Sequence, residues 1–214
     1  YCKEKGIDLS KARIWRSPFM RTRQTADAFN ESLGIKEVRE DITLTEQQYG
    51  LFHALPYEKW GELYPDAYAD YQRQMANYGK FYARPPLGES PFDVAVRVHQ
   101  FMGTIYRDYE KHGVDTLFVF THGTTLRAFL LRWFHYSTEW YHEEWNPKNC
   151  WIREIEGGQD LGYINKQGEV VIPFVWKKAR DFQNGLALVT RSKKFLWWDK
   201  WVYINKKGEI VRNY

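Results

Sequence analysis

The run Thr116-Leu-Phe-Val-Phe-Thr121 constrains the fold most strongly. It is continuously apolar and rich in β-branched and aromatic residues, which reads as a buried strand of a parallel sheet. His122-Gly123 follows directly, and a helical pattern runs from Thr124 to Phe134. Strand, tight turn and helix in that order is an α/β arrangement. In open α/β sheets, ligands bind beyond the carboxyl ends of the strands. His122 therefore stands where a ligand would be met, and Gly123 leaves the backbone open to close approach.

Other segments fit the same architecture. Ala12 to Arg16 is a short strand, broken by Ser17-Pro18, and Met20 to Leu33 is helical with Gly34 as a stop. Ser90-Pro91-Phe92-Asp93 is a helix start: Ser at the N-cap, Pro at the first helical position, an acid facing the dipole. Val94, Val98, Phe101, Met102 and Ile105 follow at helical spacing, and the helix should end near Gly113. Cys150 to Glu156 is a further strand. Helices alternating with strands imply a three-layer α/β/α sandwich around a mostly parallel sheet.

Charge divides the chain. Residues 1–158 carry 20 Lys/Arg against 22 Asp/Glu, net −2, whereas residues 159–214 carry 11 against 5, net +6. The change of sign places a domain boundary near 158. Beyond it, GYINKQGEVV (162–171) is echoed by VYINKKGEIV (202–211). Each copy reads as strand, polar Gly-containing turn and strand, a hairpin signature within a small β-rich repeat region. Trp197, Trp198 and Trp201 lie among Lys193, Lys194 and Lys200. Basic residues beside stacking rings are ingredients of nucleic-acid binding, but rings in hairpins serve the core and turn lysines serve solubility, so nucleic acid is not the expected partner.

The two cysteines, Cys2 and Cys150, are too few for a disulfide scaffold and have no metal-ligand spacing. They are compatible with a reducing cytosol, and a cytoplasmic location is expected. No stretch of 18 apolar residues would span a membrane.

Three polar positions could carry chemistry. In SPFMRTRQTA (17–26), Arg21 lies at a strand-to-helix junction, where its guanidinium can match phosphate oxygens two at a time, although a solvated helix face explains it equally well. In LTEQQYG (44–50), Glu46 is a loop acid that matters only as a proton donor to a leaving oxygen; solvation is the plainer account. His122 has a core histidine as its rival reading. Ser90 in GES (88–90) is explained by capping, leaving Glu89 as a partner behind the site.

In this order, SPFMRTRQTA, LTEQQYG, GES and THG followed by a helix resemble the histidine phosphatase superfamily, the phosphoglycerate-mutase-like group, over residues 1–156. The resemblance implies a phosphate held between two His and two Arg. One His attacks phosphorus, and an acid protonates the leaving alcohol. It makes Arg21 a phosphate ligand, Glu46 the acid and His122 the second, non-attacking His with Gly123 contributing its backbone. Ser17 and Glu89 stand as supporting residues. The implied activity is that of a phosphoric monoester hydrolase or phosphomutase on a small phosphoester. No metal or other cofactor is expected, because Arg and His supply the positive charge.

One motif departs from the pattern. The family's Arg-His-Gly, on its first strand, supplies the attacking His, and no such triplet occurs in these residues. A missing opening and a truncated gene product both explain this, and the former is preferred because the other site residues are kept. The chain as written is expected to be inactive, with an unfilled central slot in its sheet. The rival reading is a non-catalytic interaction protein with a degenerate phosphatase body. The aromatic segment 52–86, with Tyr57, Trp60, Tyr64, Tyr68, Tyr71 and Tyr82, is the expected specificity region, its rings open to either substrate contact or packing. Residues 159–214 resemble bacterial WG repeats, about one and a half copies, with Leu161-Gly162 and Trp201-Val202 each departing by one residue from Trp-Gly. Such repeats imply a protein partner.

Overall fold

The computed structural model describes residues 2, 6–156, 159–164, 170–173, 178–179, 186–191, 200–205 and 210–213. They divide into two compact units, Tyr1–Asn146 and Pro147–Tyr214, so the division falls ahead of the charge change near 158.

In the first unit, β1 (Ala12–Arg16), β2 (Val38–Glu40) and β3 (Thr116–Phe120) form a parallel sheet in the order β2-β1-β3. β1 pairs with β3 directly, from Ala12 opposite Thr116 to Arg16 opposite Phe120. These two strands join without a gap, and β3 has one neighbouring strand among the described residues, so the place for a further strand is at its other side. That position explains one difference. β3 is parallel, as its apolar run implies, yet only half-buried, with Val119 39% exposed.

Among the described residues six α-helices accompany the sheet: α1 (Met20–Glu31), α2 (Trp60–Leu63), α3 (Pro65–Tyr78), α4 (Pro91–His112), α5 (Gly123–Trp133) and α6 (Thr138–Glu143). Alternation along β1 sends its side chains to two cores. Ala12 and Ile14 pack with Ala26 and Phe29 of α1 and with Phe118 and Phe120 of β3. Trp15 faces the other way, edge-on to Phe101 of α4 at 5.7 Å, in a cluster with Leu44, Leu117 and Phe129. Helices thus cover both faces, the three-layer sandwich. Each fully buried large side chain of this kind contributes about 1.5–3 kcal/mol.

α4 begins as its sequence implies. Ser90 Oγ accepts from the Asp93 backbone N–H at 3.2 Å, and the Asp93 carboxylate accepts from the Ser90 N–H at 2.8 Å, a reciprocal cap. The helix ends at Gly113, whose φ of +64° is the left-handed conformation that glycine adopts without a Cβ penalty.

The aromatic segment 52–86 packs largely on itself. Phe52 stacks on Trp60 at 4.5 Å, and both are buried with Tyr71 and Ala83. Tyr57, Tyr64 and Tyr82 stay exposed.

The second unit is antiparallel. β4 (Ile152–Glu156), β5 (Gln159–Ile164) and β6 (Val170–Pro173) form one sheet in that order. β7 (Lys178–Ala179), β8 (Leu186–Arg191), β9 (Lys200–Asn205) and β10 (Ile210–Asn213) form another. The strand expected at 150–156 therefore pairs with β5 and not within the parallel sheet; a short apolar run does not specify its partner. The turns of the two echoed segments, and Lys193, Lys194, Trp197 and Trp198, lie outside the described residues.

Candidate functional site

β1 and β3 run parallel and in register, so the residues just past their ends emerge side by side. Ser17 follows β1 and continues the pairing, its N–H donating to the Phe120 carbonyl at 2.9 Å. Arg21 sits in the first turn of α1. His122 follows β3 as the N-cap residue of α5.

These three meet. Arg21 Nε donates to His122 Nδ1 at 3.2 Å, and His122 Nε2 lies 2.9 Å from Ser17 Oγ. A guanidinium only donates, so Nδ1 accepts and the ring proton rests on Nε2, given to Ser17. The imidazole is buried and edge-on to Phe19 at 5.1 Å. Burial first, then the positive charges of Arg21 and Arg97, push the His122 pKa down to about 4. The ring is therefore neutral near pH 7. Arg21 is exposed at the site mouth, and among the described residues Nε is its one guanidinium nitrogen with a hydrogen bond. The guanidinium lies over the Phe19 ring, its carbon 4.9 Å from the centroid, and its two terminal nitrogens can donate to an anion.

Glu46 comes from the loop between β2 and α2. Its carboxylate reaches the start of α5, 3.3 Å from the N–H groups of both Thr124 and Thr125. Both bonds are long, so the acid is aimed at the helix terminus without being locked there. It is also held by the N–H of Gln47 at 3.0 Å. Gly123 opens α5, and a Cβ there would meet the Asn146 side-chain oxygen at 2.9 Å.

The Glu46 loop is tied down from behind. Glu89 accepts from Arg97 Nε at 2.7 Å and from the Gln48 N–H at 3.0 Å. The same loop crosses residues 86–88 so closely that a Cβ on Gly50, at φ +54°, would lie 2.0 Å from the Pro86 carbonyl oxygen. Only glycine fits there.

The structure thus gathers Ser17, Arg21 and His122 into one hydrogen-bonded set. It puts Glu46 and Gly123 at the adjoining helix start, and Glu89 behind Glu46. Arg97 was not singled out in the sequence. Its signal was available: a cation inside Val94-Ala-Val-Arg-Val98, the most apolar stretch of α4. No group of three or more His, Cys, Asp or Glu that could hold a metal occurs among the described residues, and no helix there is long and apolar enough to cross a membrane.

The chain is 31% identical over 158 residues to the phosphoglycerate mutase-like protein AT74 of Arabidopsis thaliana, covering 69% of this chain and 46% of that protein. It is 29% identical over 123 residues to the broad-range acid phosphatase DET1 of Saccharomyces cerevisiae, covering 56% and 34%. It spans about half the length, or less, of these curated relatives. Among solved structures, the α-ribazole phosphatase of Shigella flexneri superposes with a TM-score of 0.54 at 18% identity over 69% of each chain. A mycobacterial glucosyl-3-phosphoglycerate phosphatase with inorganic phosphate gives 0.51 at 19%, over 65% of this chain and 66% of that one. At such identity the likeness is one of fold. A family model described as WG containing repeat matches residues 162–195. The model described as histidine phosphatase superfamily (branch 1) matches residues 5–168, and the chain belongs to that superfamily.

Proposed function

We propose that this protein is a phosphoric monoester hydrolase or phosphomutase working through a phosphohistidine, with the attacking His contributed from outside residues 1–214. The observation that carries the reading is the pairing of Arg21 with a buried, neutral His122 at the carboxyl ends of two adjacent parallel strands. A phosphate dianion needs positive charge and N–H donors around the transferring group. Arg21 offers its free terminal nitrogens. His122 offers a ring that takes up a proton once a dianion lies against it, because nearby negative charge favours imidazolium. The attacking imidazole nitrogen forms a bond to phosphorus as the ester P–O bond breaks. Glu46 gives its proton to the leaving alkoxide, and water or an acceptor alcohol then cleaves the P–N bond. The substrate is a small phosphoester. Residues 159–214 provide a surface for a protein partner, and the reducing cytosol is the proposed location.

The test is hydrolysis of p-nitrophenyl phosphate by protein expressed from the whole coding sequence. Arg21→Ala and His122→Ala should each lower kcat/KM by about 10²–10³-fold, the cost of removing one oxyanion-type donor. Wild-type rates in both variants would refute the site. Residues 1–214 alone should bind inorganic phosphate without turnover. If the whole coding sequence also lacks an Arg-His-Gly and binds phosphate without hydrolysing esters, the non-catalytic interaction protein is the correct reading.

A further inference from the structure

Arg97 is the most heavily engaged cation near the site, and every group it engages belongs to, or grips, the loop carrying Glu46. Nη1 donates to the Thr43 carbonyl at 2.6 Å; Nη2 donates to the carbonyls of Thr45 at 2.9 Å and Glu46 at 3.2 Å. Nε and Nη2 hold the two oxygens of Glu89 at 2.7 and 3.1 Å. Glu89 in turn binds the far side of the loop. Its carboxylate accepts from the Gln48 N–H at 3.0 Å, its own N–H donates to the Gln48 carbonyl at 2.7 Å, and its carbonyl accepts from Gln47 Nε2 at 2.6 Å. Two threonines complete the grip: Thr121 Oγ1 donates to the Leu44 carbonyl at 2.9 Å and Thr125 Oγ1 to that of Thr45 at 2.6 Å. The backbone carbonyls from Thr43 to Glu46 are therefore all engaged, while the Glu46 carboxylate projects toward the start of α5.

We propose that Arg97, with Glu89, is the positioning device for the Glu46 acid, so that the pair controls protonation of the leaving group without touching the substrate. This rests on the reading of Glu46 given above. A planar fork with five N–H donors suits several acceptors spread along a loop; a lysine ammonium offers three donors from one point. The base of the fork is rigid, because Arg97 lies in the second turn of a 22-residue helix with a closed capping box. A loop that leaves a single 3₁₀ turn, Ile42–Leu44, is thereby held to the tolerance that proton transfer requires.

The experiment compares leaving groups. p-Nitrophenolate leaves readily without a proton, whereas an alkoxide does not. In protein expressed from the whole coding sequence, Glu46→Gln should slow hydrolysis of an alkyl phosphate such as glycerol phosphate by about 10²-fold or more, and of p-nitrophenyl phosphate by less than tenfold. Arg97→Lys and Glu89→Gln should reproduce that selectivity at about tenfold on the alkyl ester, with inhibition by inorganic phosphate unchanged. Adding Arg97→Lys to Glu46→Gln should cost nothing further, because the two act as a unit. Equal losses on both esters, or additive losses in the double variant, would overturn the proposal and leave Arg97 a fold residue. If Glu46→Gln itself shows no selectivity, the acid assignment fails first and the positioning role falls with it. Should Arg97→Ala fail to fold, the Lys and Gln variants still decide the matter.

Discussion

Two arginines near β1 bind partners 95 and 101 residues away in sequence, and their surroundings could hardly differ more. Arg13 is buried on the strand beneath α4. It forms an ion pair with Asp108, whose other oxygen accepts from the Trp15 indole N–H at 2.7 Å. Asp108 is 1% exposed and Arg13 4%. Charge is matched by charge, and no solvent reaches the pair. Arg21, just past the strand's other end, spends one nitrogen on a neutral imidazole and keeps the rest for the mouth of the site. The first pair has no charge left over for a ligand. The second holds an exposed cation whose one hydrogen bond among the described residues goes to a neutral ring, so its charge is met by solvent or by an incoming anion. Equally long-range contacts thus serve architecture at one end of β1 and, on the function proposed above, chemistry at the other.

The sharpest way to break this contrast is to remove one acid. Asp108→Ala would leave the buried Arg13 guanidinium with the half-exposed Glu37 carboxylate, 3.5 Å away, as its remaining ion-pair partner among the described residues, and the Trp15 N–H without an acceptor. Destabilisation of about 3–5 kcal/mol is expected in denaturant unfolding, with activity per folded molecule unchanged. A loss below about 1 kcal/mol would mean that Arg13 reaches water and that the two arginines are less different than their geometry indicates. Next in size is Arg21→Ala. It should cost about 2.7–4 kcal/mol of transition-state stabilisation by the measure above, yet shift unfolding by about 0.5 kcal/mol or less, as an exposed position does. A destabilisation matching that of Asp108→Ala would make Arg21 a second structural cation. Ser17→Ala lies between the extremes: the buried His122 Nε2–H loses its acceptor, at about 1–3 kcal/mol in stability.

The same contrast explains what could be read from the residues alone. Arg21 and His122 were legible because strand ends leave local marks: an apolar β-run that stops, a Ser-Pro break, a Gly, a helix start. Parallel pairing then brings two such ends together without further information. The α4 cap was legible for a similar reason, being written within Ser90-Pro-Phe-Asp93. Contacts that depend on which distant loop returns to a helix left no such mark. Arg97 shows in sequence as a cation within an apolar helical stretch but not which loop it grips, Arg13 reads as a strand residue, and Cys150 to Glu156 as one more strand of a mostly parallel sheet. Strand order is likewise a long-range property: that β1 meets β3 directly, leaving the other side of β3 without a strand among the described residues, had no local mark. The aromatic segment 52–86 was ambiguous in sequence because rings that bind and rings that pack have the same composition. Phe52, Trp60 and Tyr71 are buried against one another.

The smallest expected effect separates the two regions by pH. Folding holds His122 at about 4, against an ordinary value near 6.5. Between those values the unfolded chain binds a proton here that the folded chain refuses, so proton uptake drives unfolding. Stability contributed by the neutral ring is complete above about pH 6.5, declines as pH falls, and is gone below about pH 4. Thermal unfolding across this window should therefore show the wild type losing its advantage over His122→Gln on acidification. The same acid-sensitive component should persist in an Asp108→Ala background, because that pair lies at the other end of β1. Inorganic phosphate should shrink it. A bound dianion favours the imidazolium, raises the folded-state pKa toward the unfolded one and narrows the window in which the two states differ in protons. If phosphate leaves the acid limb of the wild type unchanged, the anion does not lie against His122, and the cation at the mouth of the site serves some other ligand.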